Sequence, residues 1–187
     1  MKNSCIVFLF CSIFATGCAS IPKSSPIQTN GYFPTSKSVD EKYISKKIAP
    51  SKQYKIVYLR EIIKYSLLEE IKQGYRELHK KALIDMGYEV YRPNEIVDFM
   101  KEQNINMDSS YADNESLKRL QDKVGDILVV EIYYEQENSE WDRYSIKASD
   151  LNKQTLFHLS YLPFVWSNFE KEMIYPAFNR LIDWKKS

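Results

Sequence analysis

Cysteine is confined to one end of this 187-residue chain: Cys5, Cys11 and Cys18 fall in the first eighteen residues, and none follows. The stretch from Ala19 onward has no thiol with which to close a disulfide, ligate zinc or an iron–sulfur cluster, or act as a nucleophile. Small domains of oxidising compartments commonly lean on disulfides; here the core must suffice alone. Glycine is almost as scarce, with five in the chain. No glycine-rich phosphate loop and no G-x-S-x-G elbow occurs, so nucleotide and serine-nucleophile chemistry lack their usual supports. The two histidines, His79 and His158, have no second ligand three or four residues away, as a helical metal pair requires. Both read as polar boundary residues. No acids are spaced about a central glycine in the manner of a calcium loop. Lys+Arg number 26 against 25 Asp+Glu, which leaves no basic footprint for nucleic acid. No catalytic residue, metal or cofactor is expected, and no nucleic-acid partner.

No apolar run reaches the roughly 20 residues that cross a bilayer as a helix. The longest candidate, Ile6 to Phe14, follows a single charge at Lys2 and precedes small residues. A charged tip, a short apolar core and a small-residue cut describe a secretory signal peptide, here residues 1–17. Ala15-Thr16-Gly17-Cys18 resembles the bacterial lipobox, in which a small residue precedes an invariant cysteine. That resemblance implies cleavage after Gly17 and a diacylglycerol on the Cys18 thiol, with palmitate among the acyl chains. Leu is commoner where Ala15 stands. Ala19 follows the cysteine, and the Asp that marks inner-membrane retention in enteric bacteria is not there. The expected place is the outer membrane, facing the periplasm. Removing Lys2 with the signal takes Lys+Arg from 26 to 25, equal to Asp+Glu.

From Cys18 to Gln53 the chain carries Pro22, Pro26, Pro34 and Pro50, many serines and lysines, and few apolar residues. Neither the strand nor the helix period persists through it. Such a segment buries too little apolar surface to offset its ordering entropy, so residues 18–53 are expected to form a flexible tether. Residues 54–187 form one domain of ordinary size.

Within it "YKIVYL" (Tyr54 to Leu59) reads as a strand. A helix is expected from Ser66, where Ser66 and Glu69 make a capping box. Leu68, Ile71, Tyr75, Leu78 and Ala82 give it one apolar stripe, and Gly87 ends it. "YEVY" (Tyr88 to Tyr91) is a short strand stopped by Pro93. Asn94 caps a helix carrying Ile96, Val97, Phe99 and Met100. A further helix bears Leu117, Leu120 and Val124 and ends at Gly125. "DILVVEIYY" (Asp126 to Tyr134) opens as a strand buried on both faces. "WDRYSIKAS" and "QTLFHLSYL" alternate, and pair as an antiparallel hairpin at the sheet edge. A last helix, from about Ser167, carries Phe169, Met173, Ala177, Phe178, Leu181 and Ile182, with a kink or break at Pro176. The order β-α-β-α-α-β-β-β-α predicts an α/β fold with a mixed five-stranded sheet and packed helices.

This arrangement is similar to a group of small bacterial lipoprotein domains. The group includes the curli secretion lipoprotein, the N-terminal domain of TolB and lipoprotein activators of penicillin-binding proteins. Its Gly-Tyr-x-Val after the first helix is matched by Gly87-Tyr88-Glu89-Val90, and its Gly-Asp before a buried strand by Gly125-Asp126-Ile127-Leu128. The later hairpin resembles Asp150-Leu151-Asn152-Lys153-Gln154-Thr155-Leu156-Phe157, with Lys153 where a turn glycine is common. The resemblance spans most of residues 54–184 and implies a role in binding envelope proteins or building assemblies.

Two surfaces are candidates for function. "YYEQENSEWDRY" places Tyr133, Tyr134, Trp141 and Tyr144 with Arg143 on one hairpin, and aromatics with Arg are the usual anchors of protein interfaces. An edge strand there also invites pairing by a partner's strand; the other reading is cross-strand packing within the hairpin. The acids Glu131, Glu135, Glu137, Glu140 and Asp142 gather at the same turn. Two carboxylates at the right separation hydrolyse glycosidic bonds, so an envelope or cell-wall hydrolase is the alternative. Raising one carboxyl pKa needs burial or a close like charge, and a wet turn offers neither. The favoured expectation is a non-catalytic, membrane-anchored binding or assembly module.

Overall fold

The computed structural model describes residues 23–64, 69–107, 111–136, 142–163 and 170–187. Ser66, Leu68, Phe169 and Trp141, with Glu137 and Glu140, lie outside them. A mixed sheet of six strands runs in the order β1-β6-β5-β4-β2-β3. Its strands are β1 (Ile44–Lys47), β2 (Ile56–Lys64), β3 (Glu89–Tyr91), β4 (Ile127–Gln136), β5 (Asp142–Ser149) and β6 (Thr155–Tyr161). Strand β2 pairs in parallel with β3 and β4, and the remaining pairs are antiparallel. The helices are α1 (Glu69–Asp85), α2 (Pro93–Glu102), α3 (Asn114–Val124) and α4 (Tyr175–Lys186).

Alternation along the strands divides the core in two. Val57 and Leu59, with Val130, Ile132, Ile146 and Leu159, face α1 and α4. Ile56, Tyr58 and Ile127 face the other way, towards Ile96, Met100, Leu117 and Leu120 of α2 and α3. The predicted stripe of α1 is buried at Ile71, Tyr75, Leu78 and Ala82. Helix α2 begins one residue before the expected cap: Pro93 opens it, and Glu95 Oε2 accepts from the Arg92 N–H at 2.8 Å. Pro suits the first turn because its missing N–H has no intrahelical partner there. Pro176 likewise falls in the first turn of α4, directly after a π-helical turn over Glu170–Ile174, so the helix changes type just ahead of the proline and does not end there.

The sixth strand comes from the stretch expected as tether. Strand β1 pairs with β6 from Ile44↔Leu159 to Lys47↔Phe157, which moves the sheet edge off the β5–β6 hairpin. Ahead of it, residues 23–43 run along α4 as a strap. Phe33 is 2% exposed; it stacks on Tyr175 at 5.0 Å and meets Phe178 edge-on. Asn179 binds the Phe33 backbone twice, accepting from its N–H at 2.8 Å and donating to its carbonyl at 3.1 Å. Tyr32 donates to Asp183 at 2.8 Å, Arg180 to the Val39 carbonyl at 2.6 Å, and Trp184 to the Ile48 carbonyl at 2.6 Å. The few apolar side chains of the strap are spaced irregularly, and α4 satisfies the backbone between them. Phe33→Ala should therefore destabilise the domain by about 3 kcal/mol, the cost of an aromatic cavity in a core. An unchanged urea midpoint would mean that the strap is no part of the fold.

Gly87 closes α1 as expected. Its φ is +88°; the Tyr88 N–H donates to the Leu83 carbonyl at 3.2 Å and the Gly87 N–H to the Ile84 carbonyl at 2.8 Å. These two bonds are the Schellman pair, which needs a left-handed residue at this position. A Cβ there would come no nearer than 3.8 Å to Lys185 Nζ, so the penalty is conformational rather than steric. Gly87→Ala should cost about 1 kcal/mol. Calorimetry showing no fall in Tm would contradict the cap.

Candidate functional site

The structure does not bring the hairpin aromatics to one surface. Successive side chains of a strand point to opposite faces, and Tyr133 and Tyr134 are neighbours in sequence. Tyr134 and Tyr144 are fully buried on the α1 and α4 side, as a cross-strand pair with ring centroids 6.2 Å apart. Neither can meet a partner while the domain is folded. Tyr133 lies half-buried on the other face, where its hydroxyl donates to Glu135 at 2.8 Å and Lys64 Nζ sits 5.3 Å from its ring centroid. Arg143 stands opposite Glu135 on that same face.

That face is covered by α2 and α3 only over β3, β2 and the start of β4. Across the rest of β4, β5 and β6 it is a half-exposed polar surface, on which each described acid has a cation. Glu131 binds Arg60 through Oε1 and Lys147 through Oε2, both at 3.1 Å; Lys64 lies 3.7 Å from Glu135. Both oxygens of Glu131 are thus engaged by cations. Of the acids considered for a hydrolase, Glu131 and Glu135 are engaged in these ion pairs, and the side chain of Asp142 lies outside the described residues. His158 bridges the same surface, 2.7 Å from Ser45 Oγ of β1 and 3.3 Å from Ser145 Oγ of β5. Burial, and then the charge of Lys147, lower its pKa, so at neutral pH it is an uncharged tie between strands. Where α3 meets the β5–β6 turn, the surface dips into a cleft of about 480 Å³ that includes Tyr58, Tyr111, Leu117 and Lys153. Ser149 lines it too, with a buried hydroxyl that has no partner among the described residues.

The second constellation is one that sequence reasoning missed. Glu61 shares a face of β2 with Val57 and Leu59, and its side chain is 5% exposed. Its Oε1 lies 2.8 Å from His79 Nδ1 and its Oε2 3.3 Å from Arg92 Nε, while Arg92 Nη1 donates to Glu77 at 2.9 Å. His79 is fully buried among the rings of Tyr75, Tyr144 and Phe178. It is a core histidine with a carboxylate partner rather than a boundary residue. The cluster sits just past the carboxyl end of β3, the end at which open α/β sheets place their sites. Yet a base must reach the proton it takes, and His79 has no exposed surface. These residues act as a clamp joining β2, α1 and the chain just after β3. The visible signal is a Glu at a core position of a strand, which demands a buried cation.

Breaking such a pair on one side leaves charge uncompensated in the core. Glu61→Ala should therefore lower stability by about 3 kcal/mol, and Glu61→Gln by less, in urea unfolding. A Glu61→Ala change within about 0.5 kcal/mol of the parent, the range of ordinary surface substitutions, would show that the clamp contributes nothing. Among the described residues no group of three or more His, Cys, Asp and Glu could hold a metal ion, and no helix is long and apolar enough to cross a membrane.

No protein-family model and no curated protein matches this chain. Among solved structures it is similar to the LpoB C-terminal domain from Salmonella enterica, with 7% identity over 63% of this chain and 88% of that one and a TM-score of 0.37. The PelC dodecamer from Paraburkholderia phytofirmans is 9% identical over 75% of this chain and 94% of that one, with a TM-score of 0.41. Lipoprotein GNA1162 from Neisseria meningitidis is 17% identical over 69% and 94%, with a TM-score of 0.35. At such scores, function has to be read from this chain's own residues.

Proposed function

We propose that this chain is a lipid-anchored, non-catalytic binding module of the bacterial envelope, held in the outer membrane through Cys18 and facing the periplasm. The single observation that carries the reading is Gly17-Cys18 at the end of a short apolar run, with no cysteine after it. The open face of β4–β6 supports a binding role: its acids are ion-paired and half-exposed, and its cleft is lined by aromatic and polar side chains. Of the interface residues expected from sequence, Tyr133 and Arg143 lie on that face. Tyr134 and Tyr144 support the surface from beneath, and the partner in this reading is another envelope protein.

Cys18→Ser tests the anchor. Nothing after Cys18 depends on a thiol, so the variant should fold as the parent does. Two or three acyl chains bind a bilayer almost permanently, at ~0.8 kcal/mol per buried methylene. The parent should pellet with membranes through a high-salt wash and take up an alkyne fatty acid, while the variant should be soluble and unlabelled. Label on the variant, or none on the parent, sinks the lipoprotein reading.

A further inference from the structure

The strap changes what an anchor at Cys18 does. We infer that the domain is held directly against the bilayer, with the outer face of α1 towards the headgroups and the open sheet face turned away. This rests on the lipidation proposed above. Five Cα–Cα steps separate Cys18 from Lys23. A chain spans at most about 3.6 Å per residue, so Lys23 lies within about 18 Å of the anchored residue whatever conformation the intervening residues take.

From there on the chain belongs to the domain. Ser24 lines a groove along α1 with Glu69, Gln73, Arg76 and Glu77. The Ser25 N–H donates to the Tyr175 hydroxyl, and Phe33 is locked on α4 eight residues later. The leash therefore leaves the domain on the α1 and α4 side of the sheet. A free chain over residues 18–53 would have spanned roughly 30–35 Å and let the domain turn in any direction. A domain of this size is about 40 Å across, more than twice the leash. The face bearing α3 and the Tyr133–Arg143 surface cannot come down onto the same bilayer.

Charge does not set this placement. Along α1, Glu69, Glu70, Glu77 and Asp85 balance Lys72, Arg76, Lys80 and Lys81, so anionic headgroups neither draw nor repel the helix. Geometry alone holds it there, and the placement should survive high salt. Its consequence is functional: an envelope partner would approach from the compartment side and meet the open sheet face, with the helical face spent on the membrane.

The test uses the full-length lipidated protein in phosphatidylethanolamine–phosphatidylglycerol vesicles. With Cys18 acylated, Gln73→Cys on the outer face of α1 and Lys118→Cys on the outer face of α3 each supply one thiol for a fluorophore. A nitroxide at the lipid headgroup quenches by short-range contact. The label at position 73 should be quenched at least about twofold more than that at 118, independently of salt. Inserting twenty Gly and Ser residues after Ala19 should bring the two labels close to equality, because the longer leash frees the domain to turn. A parent that does not bind vesicles overturns the anchor, and this placement with it. A bound parent with equal quenching at the two positions overturns the placement alone. A difference that persists after the insertion overturns the leash as its cause.

Discussion

The parallel pairing of β2 with β4, registered residue by residue from Ile56↔Ile127 to Lys64↔Glu135, determines where every other element sits. Both strands open with consecutive apolar residues, so both faces of the sheet must be covered there. Parallel neighbours need long crossovers, and these are right-handed. The chain moves outward from β2 to β3 and then back past β2 to β4. The two crossovers run in opposite directions across the sheet, so the same handedness puts α1 on one face and α2 with α3 on the other. Beyond β4 only hairpins follow, and hairpins bring no helix. Helix α4 returns to the α1 side, the far side of β5 and β6 stays open, and the alternation of those strands matches that outcome.

The same pairing explains the charge in the core. Past Leu59 the side chains of β2 on the α1 face are Glu61 and Ile63, and α1 has to pack over them. A lone carboxylate in that position would be costly to desolvate. His79 from the middle of α1 and Arg92 from the end of β3 meet it from two directions, and Glu77 completes the balance around Arg92. The paired cluster joins three elements whose order in the sheet the crossovers already require. Its value is register rather than net affinity: sliding α1 by one turn would strand Glu61 without its imidazole.

Most of this architecture was legible from period and punctuation. The stripe of α1, the Gly87 cap, the buried opening of β4 and the hairpin all follow from local rules acting on neighbouring residues. Lys153 shows how far such rules reach: it stands where a turn glycine is common, and its φ is +65°. The strap was illegible for the converse reason. Its order is supplied by Asn179, Arg180 and Asp183, which read in sequence as the polar face of a helix, and by Phe33, an isolated aromatic among prolines and serines. For Tyr134 and Tyr144 the cross-strand packing reading holds rather than the interface one, because a strand sends Tyr133 and Tyr134 to opposite faces. The His79 clamp joins residues far apart in sequence, and only the oddity of Glu61 in an apolar strand hints at it.

The open face also has a physical reason to suit recognition better than chemistry. Acid–base catalysis needs groups whose pKa values are driven apart by burial or by like charge. Here each described carboxylate is flanked by a cation and partly open to water. Ion pairs in that setting contribute little to stability. Their use lies in the pattern: rows of Arg60, Glu131 and Lys147, and of Lys64, Glu135 and Arg143, present alternating sign across the strands. Such a pattern steers and discriminates partners more than it tightens them, and affinity must come from the apolar ground between. On this face that ground is Tyr133 and the aromatic wall of the cleft at Tyr58 and Tyr111. In the binding role proposed above, these charges would select a partner and the rings beside them would hold it.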